Sequence, residues 1–172
     1  MTNIEERVTS SQRLYDGRII NLRLDTVVLP NGKTSKREIV EHRGAVAMVP
    51  LLNRDTVILV RQYRGAAASL MLEIPAGTRD PDEDIELCAR RELAEETGVT
   101  NVFLEQLRAF GDPGRDPRTW VITVAHTALI PSDRLVLRAD TDAADAHWFP
   151  LADLPGPLAF DHQTILDYAL MS

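Results

Sequence analysis

Apolar and polar positions change rhythm several times along the chain, and each change marks an element. From Arg18 to Pro30, RIINLRLDTVVLP is rich in β-formers, and the alternating KREIVEH follows the short NGKT. Asn31-Gly32 between them is a strong hairpin signal. The segment 1–43 therefore reads as extended, a small N-terminal antiparallel sheet apart from the main body over 44–172. Two apolar runs, AVAMVPLL and TVILVRQY, come next, separated by the turn NRD. LMLEIPAG then predicts a short strand closed by Pro75 and Gly77.

After the loop TRDPDED the period shifts to helical, predicting a helix from Glu83 to Thr97 that ends at Gly98. Strands resume at VFLEQLRAF, TWVITVAHTALI and AHWFPL. A last helix is predicted from Asp161, a good N-cap residue, to Leu170. Strands on both sides of one central helix imply an α+β fold, a mixed sheet with helices on its faces. The order alternates too irregularly for a doubly wound parallel sheet.

The central helix contains the sequence's sharpest anomaly. Within RRELAEETG, Glu92, Glu95 and Glu96 crowd together, where like charges at helical neighbours repel. With Ile85 at zero on a helical wheel, Cys88 falls at about 300°, Ala89 at about 40°, Glu92 at about 340° and Glu96 at about 20°. Two carboxylates thus share the apolar stripe, and Glu95 lies beside it at about 280°. Carboxylates on a packed face are costly unless something positive meets them. Either they pair with local arginines or they hold a metal ion. Arg90 and Arg91 fall at about 140° and 240°, away from the stripe, which favours the metal. Oxygen ligands without His or Cys suit a hard cation such as Mg2+ or Mn2+.

Composition narrows the partners. A net charge of −7 argues against a general nucleic-acid binder but not against a small phosphorylated ligand held by a few arginines. Cys88 is the only cysteine, so neither an intrachain disulfide nor a cysteine-based metal site is expected. No apolar run approaches a membrane span, and MTNIEERVTS lacks a signal-peptide core, so a soluble cytoplasmic chain is the expectation.

The segment GTRDPDEDIELCARRELAEETGV, Gly77 to Val99, resembles the Nudix box, G-x5-E-x7-R-E-U-x-E-E-x-G-U with U aliphatic. Every fixed position is met: Gly77, Glu83, Arg91, Glu92, Leu93, Glu95, Glu96, Gly98 and Val99. The resemblance implies a Nudix-type α/β/α sandwich with a mixed central sheet, plus the small N-terminal sheet. It implies that Glu92 and Glu96 ligate metal, with Glu95 as a further ligand and the Ala76 carbonyl completing the shell. Gly77 would allow the tight loop, Arg91 would orient the carboxylates, and Glu83 would support the loop.

The N-terminal hairpin, KREIVEHRGAVAMVPL, VRQYR and LEIPAG together resemble the ADP-ribose pyrophosphatase subfamily. That likeness implies Mg2+-dependent hydrolysis of ADP-ribose to AMP and ribose 5-phosphate, in a homodimer joined through the N-terminal sheet. Arg37 and Glu38 would reach the partner's substrate, and Arg64 would hold the diphosphate or terminal ribose. In the loop GDPGRDPRTW, Pro113 or Pro117 matches a proline-bearing substrate loop, and Arg115 and Arg118 add positive charge. Relatives place a glutamate before the last strand as general base. Here RADTDAADAHW offers Asp142 first, Asp145 second, and Asp140. Where relatives stack adenine on an aromatic, Tyr15 is the nearest ring. Alternatives are a Nudix hydrolase for a nucleotide sugar, a dinucleoside polyphosphate or a nucleoside triphosphate, and a non-catalytic ADP-ribose-binding module.

Overall fold

A computed structural model describes residues 4–115, 121–132, 135–138 and 143–172. The chain forms two compact units, Met1–Arg43 and Gly44–Ser172.

The first unit is an antiparallel sheet of three strands in the order β1 (Arg7–Asp16), β2 (Ile20–Val28) and β3 (Thr34–His42). The β2–β3 hairpin closes through Pro30, Asn31 and Gly32. The Gly32 N–H donates to Leu29 O at 2.8 Å, and Gly32 takes a φ of 79° that suits a residue without Cβ. β1 is exposed along its whole length, so no apolar alternation announces it. One face of this sheet carries a charged ladder. Asp25, which is buried, accepts from Ser11 and Arg23, while Glu41 accepts from Arg13 and Arg23.

The second unit holds a sheet of seven strands. Its main path runs β10 (Ala143–Pro150), β5 (Thr56–Arg64), β4 (Ala45–Asn53), β9 (Thr123–Leu129) and β8 (Leu104–Phe110). β4 and β9 run parallel and the other pairs antiparallel, so the sheet is mixed. LMLEIPAG makes two strands rather than one. β6 (Ser69–Glu73) pairs with β5, and β7 (Ala76–Thr78) pairs with β4. Pro75 has no N–H to offer a ladder, and its carbonyl instead accepts from Met48 N at 2.8 Å.

Two helices cover the sheet, α1 (Ile85–Thr97) on one face and α2 (His162–Met171) on the other. β4 is buried on both sides. Val46 and Met48 face the cluster with Cys88, Ala89 and Leu93, while Ala47, Val49 and Leu51 face the cluster with Ile165 and Leu166. Each fully buried Val, Leu, Ile or Met side chain among these contributes about 1.5–3 kcal/mol against exposure. This double burial explains why β4 and β5 read as nearly continuous apolar runs.

α1 begins later than its periodicity predicts. Asp84 is the N-cap, accepting from Glu86 N at 2.8 Å and Leu87 N at 3.3 Å, which leaves Glu83 in the loop. Gly98 ends it at φ 75°, donating to Ala94 O. Asp161 does precede α2, but its side chain makes no capping hydrogen bond. Its carboxylate is engaged elsewhere, as described below. Among the described residues no helix is long and apolar enough to cross a membrane.

Candidate active site

α1 and β7 meet at the centre of the site. Glu92 and Glu96, one helical turn apart, both reach the backbone of Ala76–Gly77. Glu96 is only 4 % exposed, and its Oε2 accepts from Ala76 N at 3.0 Å. Glu92 lies so close to Gly77 that a Cβ there would sit 1.9 Å from Glu92 Cδ. A side chain at position 77 would therefore force the Glu92 carboxylate out of its place; the constraint is close approach, not a left-handed backbone.

Electrostatically, these carboxylates are under load. Glu96 is pushed up to about 8, chiefly by burial; its neighbours Glu92 and Glu73 add to the rise, while the Ala76 N–H and Arg64 oppose it. Burial also raises Glu92, opposed by Arg91. Among the described residues no cationic side chain forms an ion pair with Glu96.

Arg91 corrects the helical-wheel reading. Its Nε and Nη2 grip Glu83 at 2.8 and 2.9 Å, and its Nη1 donates to Glu92 at 2.7 Å and Glu95 at 3.2 Å. The wheel fixes where a side chain leaves the helix, but a long arginine carries its charge several ångströms further and can curl back. Arg90 does point away, binding Glu86 and the Val102 carbonyl. Arg91 holds Glu83 down at about 2, and Glu83 in turn accepts from Asp80 N at 3.0 Å, which ties the loop before α1. Cys88 beneath them is buried and pushed up to about 12, chiefly by desolvation, so its thiol is inert.

The donor set suits a hard divalent cation. It consists of oxygens alone, and its most buried member lacks a counter-charge. Among the described residues no three acidic, His or Cys side chains already form a cage. A cation would draw Glu92 and Glu95 partly away from Arg91.

The other sequence candidates are distributed as follows. Arg64, at the end of β5, donates through Nε and Nη2 to both oxygens of Glu73 at 2.8 and 2.5 Å; Glu73 is 1 % exposed. Arg115 is a poor match to a substrate contact. Its Nε and Nη2 donate to both oxygens of Asp161 at 2.7 and 2.6 Å, and its Nη1 donates to Thr123 Oγ1 at 2.8 Å and the Val121 carbonyl. Its side chain is only 10 % exposed, so it clasps the head of α2.

Arg37 and Glu38 belong to the first unit. As neighbours on β3 they project to opposite faces; Arg37 pairs with Glu6 at 2.6 Å, and Glu38 is exposed. Tyr15 is exposed on β1, and Pro113 lies in the turn after β8. Asp145 sits at the start of β10, hydrogen-bonded to His147. Asp140, Asp142, Pro117 and Arg118 lie outside the described residues.

Sequence reasoning missed Glu73 and the turn before α2. Glu73 carried a signal, a lone charge inside the apolar run LMLEI. Phe160 and His162 carried none.

Residues 41–169 match the Nudix domain family, and residues 6–40 match the nucleoside diphosphate sugar hydrolase N-terminal domain. The chain belongs to the Nudix family. It is 43 % identical over 111 residues to the methanol dehydrogenase activator of Bacillus methanolicus. It is 42 % identical over 110 residues to an ADP-ribose pyrophosphatase of Bacillus subtilis. Each match takes in 64 % of this chain and 60 % of the relative, so the chain spans about three fifths of the length of these curated relatives. Among solved structures, the Nudix domain of Shewanella oneidensis NrtR complexed with ADP ribose superposes with a TM-score of 0.64 at 33 % identity. That match covers 73 % of this chain and 84 % of the other.

Proposed function

We propose that this chain hydrolyses the diphosphate bond of ADP-ribose to AMP and ribose 5-phosphate, using Mg2+ or, in its place, Mn2+. The observation that carries the reading is the convergence of Glu92 and Glu96 on the Ala76–Gly77 backbone, with Glu96 buried and lacking a cationic partner. The ADP-ribose pyrophosphatase of Bacillus subtilis supports the choice of substrate.

Glu92, Glu95, Glu96 and the Ala76 carbonyl would hold the metal. When bound, it supplies charge neutralisation for the diphosphate and an activated water. The chain's own residues do the rest. Arg91 holds Glu92 and Glu95 in place through its Nη1 hydrogen bonds, and Glu83 anchors Arg91. Gly77 leaves room for Glu92. Arg64 contacts the diphosphate, where an arginine fork suits phosphate oxygens. Asp142 takes the proton from the attacking water, with Asp145 and Asp140 as the other candidates for that role. In a homodimer formed through the first unit, Arg37 and Glu38 reach the partner's substrate.

Arg115 is reassigned from substrate contact to holding Asp161, because its donors already have partners. A second reading, an ADP-ribose-binding module without turnover, is favoured by the likeness to the NrtR domain. A substrate panel separates the readings. Phosphate release is measured after coupling to a phosphatase, with ADP-ribose, nucleotide sugars, dinucleoside polyphosphates and nucleoside triphosphates. Preference for ADP-ribose is expected. A preference for triphosphates removes ADP-ribose as the substrate, and binding without release favours the module.

A further inference from the structure

The turn that leads into α2 holds an unusual residue. Phe160 takes a φ of 53°, a left-handed conformation that a bulky L-residue adopts only under strain. Such strain persists where the surroundings fix it, and here they do. The next residue, Asp161, is clamped through both oxygens by Arg115, which is itself tied to Thr123 on β9. His162 follows, buried in the same place, its ring edge-on to Phe160 at 5.7 Å between centroids.

The Phe160 ring serves a second neighbour. The Arg64 guanidinium carbon stands over it, 5.7 Å from the ring centroid, a cation–π contact. Arg64 is thus fixed along one edge by Glu73 and on one face by Phe160. Among the described residues its Nη1 makes no hydrogen bond, and the side chain is 27 % exposed. An arginine held on an edge and a face has its orientation set, with one pair of donors left over.

We infer that Phe160 is a positioning residue whose strained turn holds Arg64 with its Nη1 edge available to an anionic diphosphate. The inference rests on the hydrolase reading above. The Glu73 pair alone would let the guanidinium pivot about the carboxylate, and the ring beneath removes that freedom. Asp161 and Arg115 act one step further out, by keeping the turn from relaxing.

The test uses the full chain with Mg2+ and ADP-ribose, comparing wild type with Phe160→Leu and Phe160→Tyr, each also in an Arg64→Lys background. Losing the ring is expected to raise KM roughly three- to thirtyfold, with kcat little changed. Tyrosine keeps the ring and restores KM. The thermal shift on adding Mn2+ stays as in wild type, since the metal ligands are untouched. In the Arg64→Lys background the leucine effect shrinks, because the contact it removes is already altered.

An unchanged KM in Phe160→Leu overturns the inference. So does a tyrosine variant that behaves like leucine, or leucine and lysine penalties that simply add. Wild type that leaves ADP-ribose uncleaved instead refutes the functional reading, and the inference falls with it.

Discussion

The Glu92 carboxylate fills the space in which a side chain on Gly77 would begin. A Cβ built there meets Cδ at 1.9 Å and both carboxylate oxygens within 2.2 Å. The glycine and the glutamate are therefore one feature: the Glu92 carboxylate can occupy this position only because residue 77 has no side chain.

Gly77→Ala should displace Glu92 from the Ala76–Gly77 backbone while leaving the sheet and helices in place. Turnover is expected to fall by about two orders of magnitude or more, as misplacing a group near the chemistry by an ångström does. Circular dichroism and the Mn2+-induced thermal shift provide the check. A folded variant with a normal shift and a normal rate would show that this contact does not matter.

Arg91→Ala removes the only described ion-pair partner of Glu92 and Glu95 together with the fork on Glu83. The loss is expected to be roughly 1–3 kcal/mol, the usual penalty for leaving buried polar groups without partners. Urea denaturation measures it. Saturating Mn2+ should recover part of the loss, because a cation then meets the same carboxylates. Equal loss with and without metal would separate Arg91 from the metal site.

His162 gives the fold a pH dependence of known sign. Burial pulls its imidazole from 6.5 down to about 4, with Arg64 and Arg115 acting the same way and Glu73 and Asp161 opposing. The folded chain binds this proton less readily than the unfolded chain. Its contribution to stability is therefore complete above about 6.5 and is lost as the pH falls towards about 4. His162→Gln should flatten the urea midpoint against pH across that window. An unchanged slope would place the titration elsewhere.

Asp142→Ala is expected to lower kcat by roughly 10²–10⁴, the contribution of a general base, with the Mn2+ thermal shift intact. A rate near wild type would pass the role to Asp145 or Asp140. Asp145 is half-buried beside His147, so its own alanine variant makes a direct comparison.

Much of this architecture could be read from the chain because burial leaves a mark on sequence. β4 and β5 announce themselves through apolar residues that face both helices, and α1 through its spacing and Gly98. β1 stayed hidden within a generally extended segment, since a strand exposed throughout needs no alternation.

In the site, the approach of Glu92 and Glu96 to one backbone follows from their shared face on the helix. The Arg91 contacts do not follow, because a wheel records the root of a side chain and not the reach of its guanidinium. Asp161 reads locally as a helix cap, yet it pairs with an arginine 46 positions away. Glu73 and Phe160 likewise meet Arg64 only once β5, β6 and the turn before α2 are assembled.

The most direct test incubates the chain with ADP-ribose and Mg2+ and identifies the products by chromatography and mass spectrometry, alongside Glu96→Gln. That substitution keeps an acceptor for the Ala76 N–H while removing the carboxylate that would meet the metal. Equal amounts of AMP and ribose 5-phosphate from wild type, and none from a folded Glu96→Gln, are predicted. Intact ADP-ribose after incubation of wild type, or undiminished cleavage by the variant, would contradict the account.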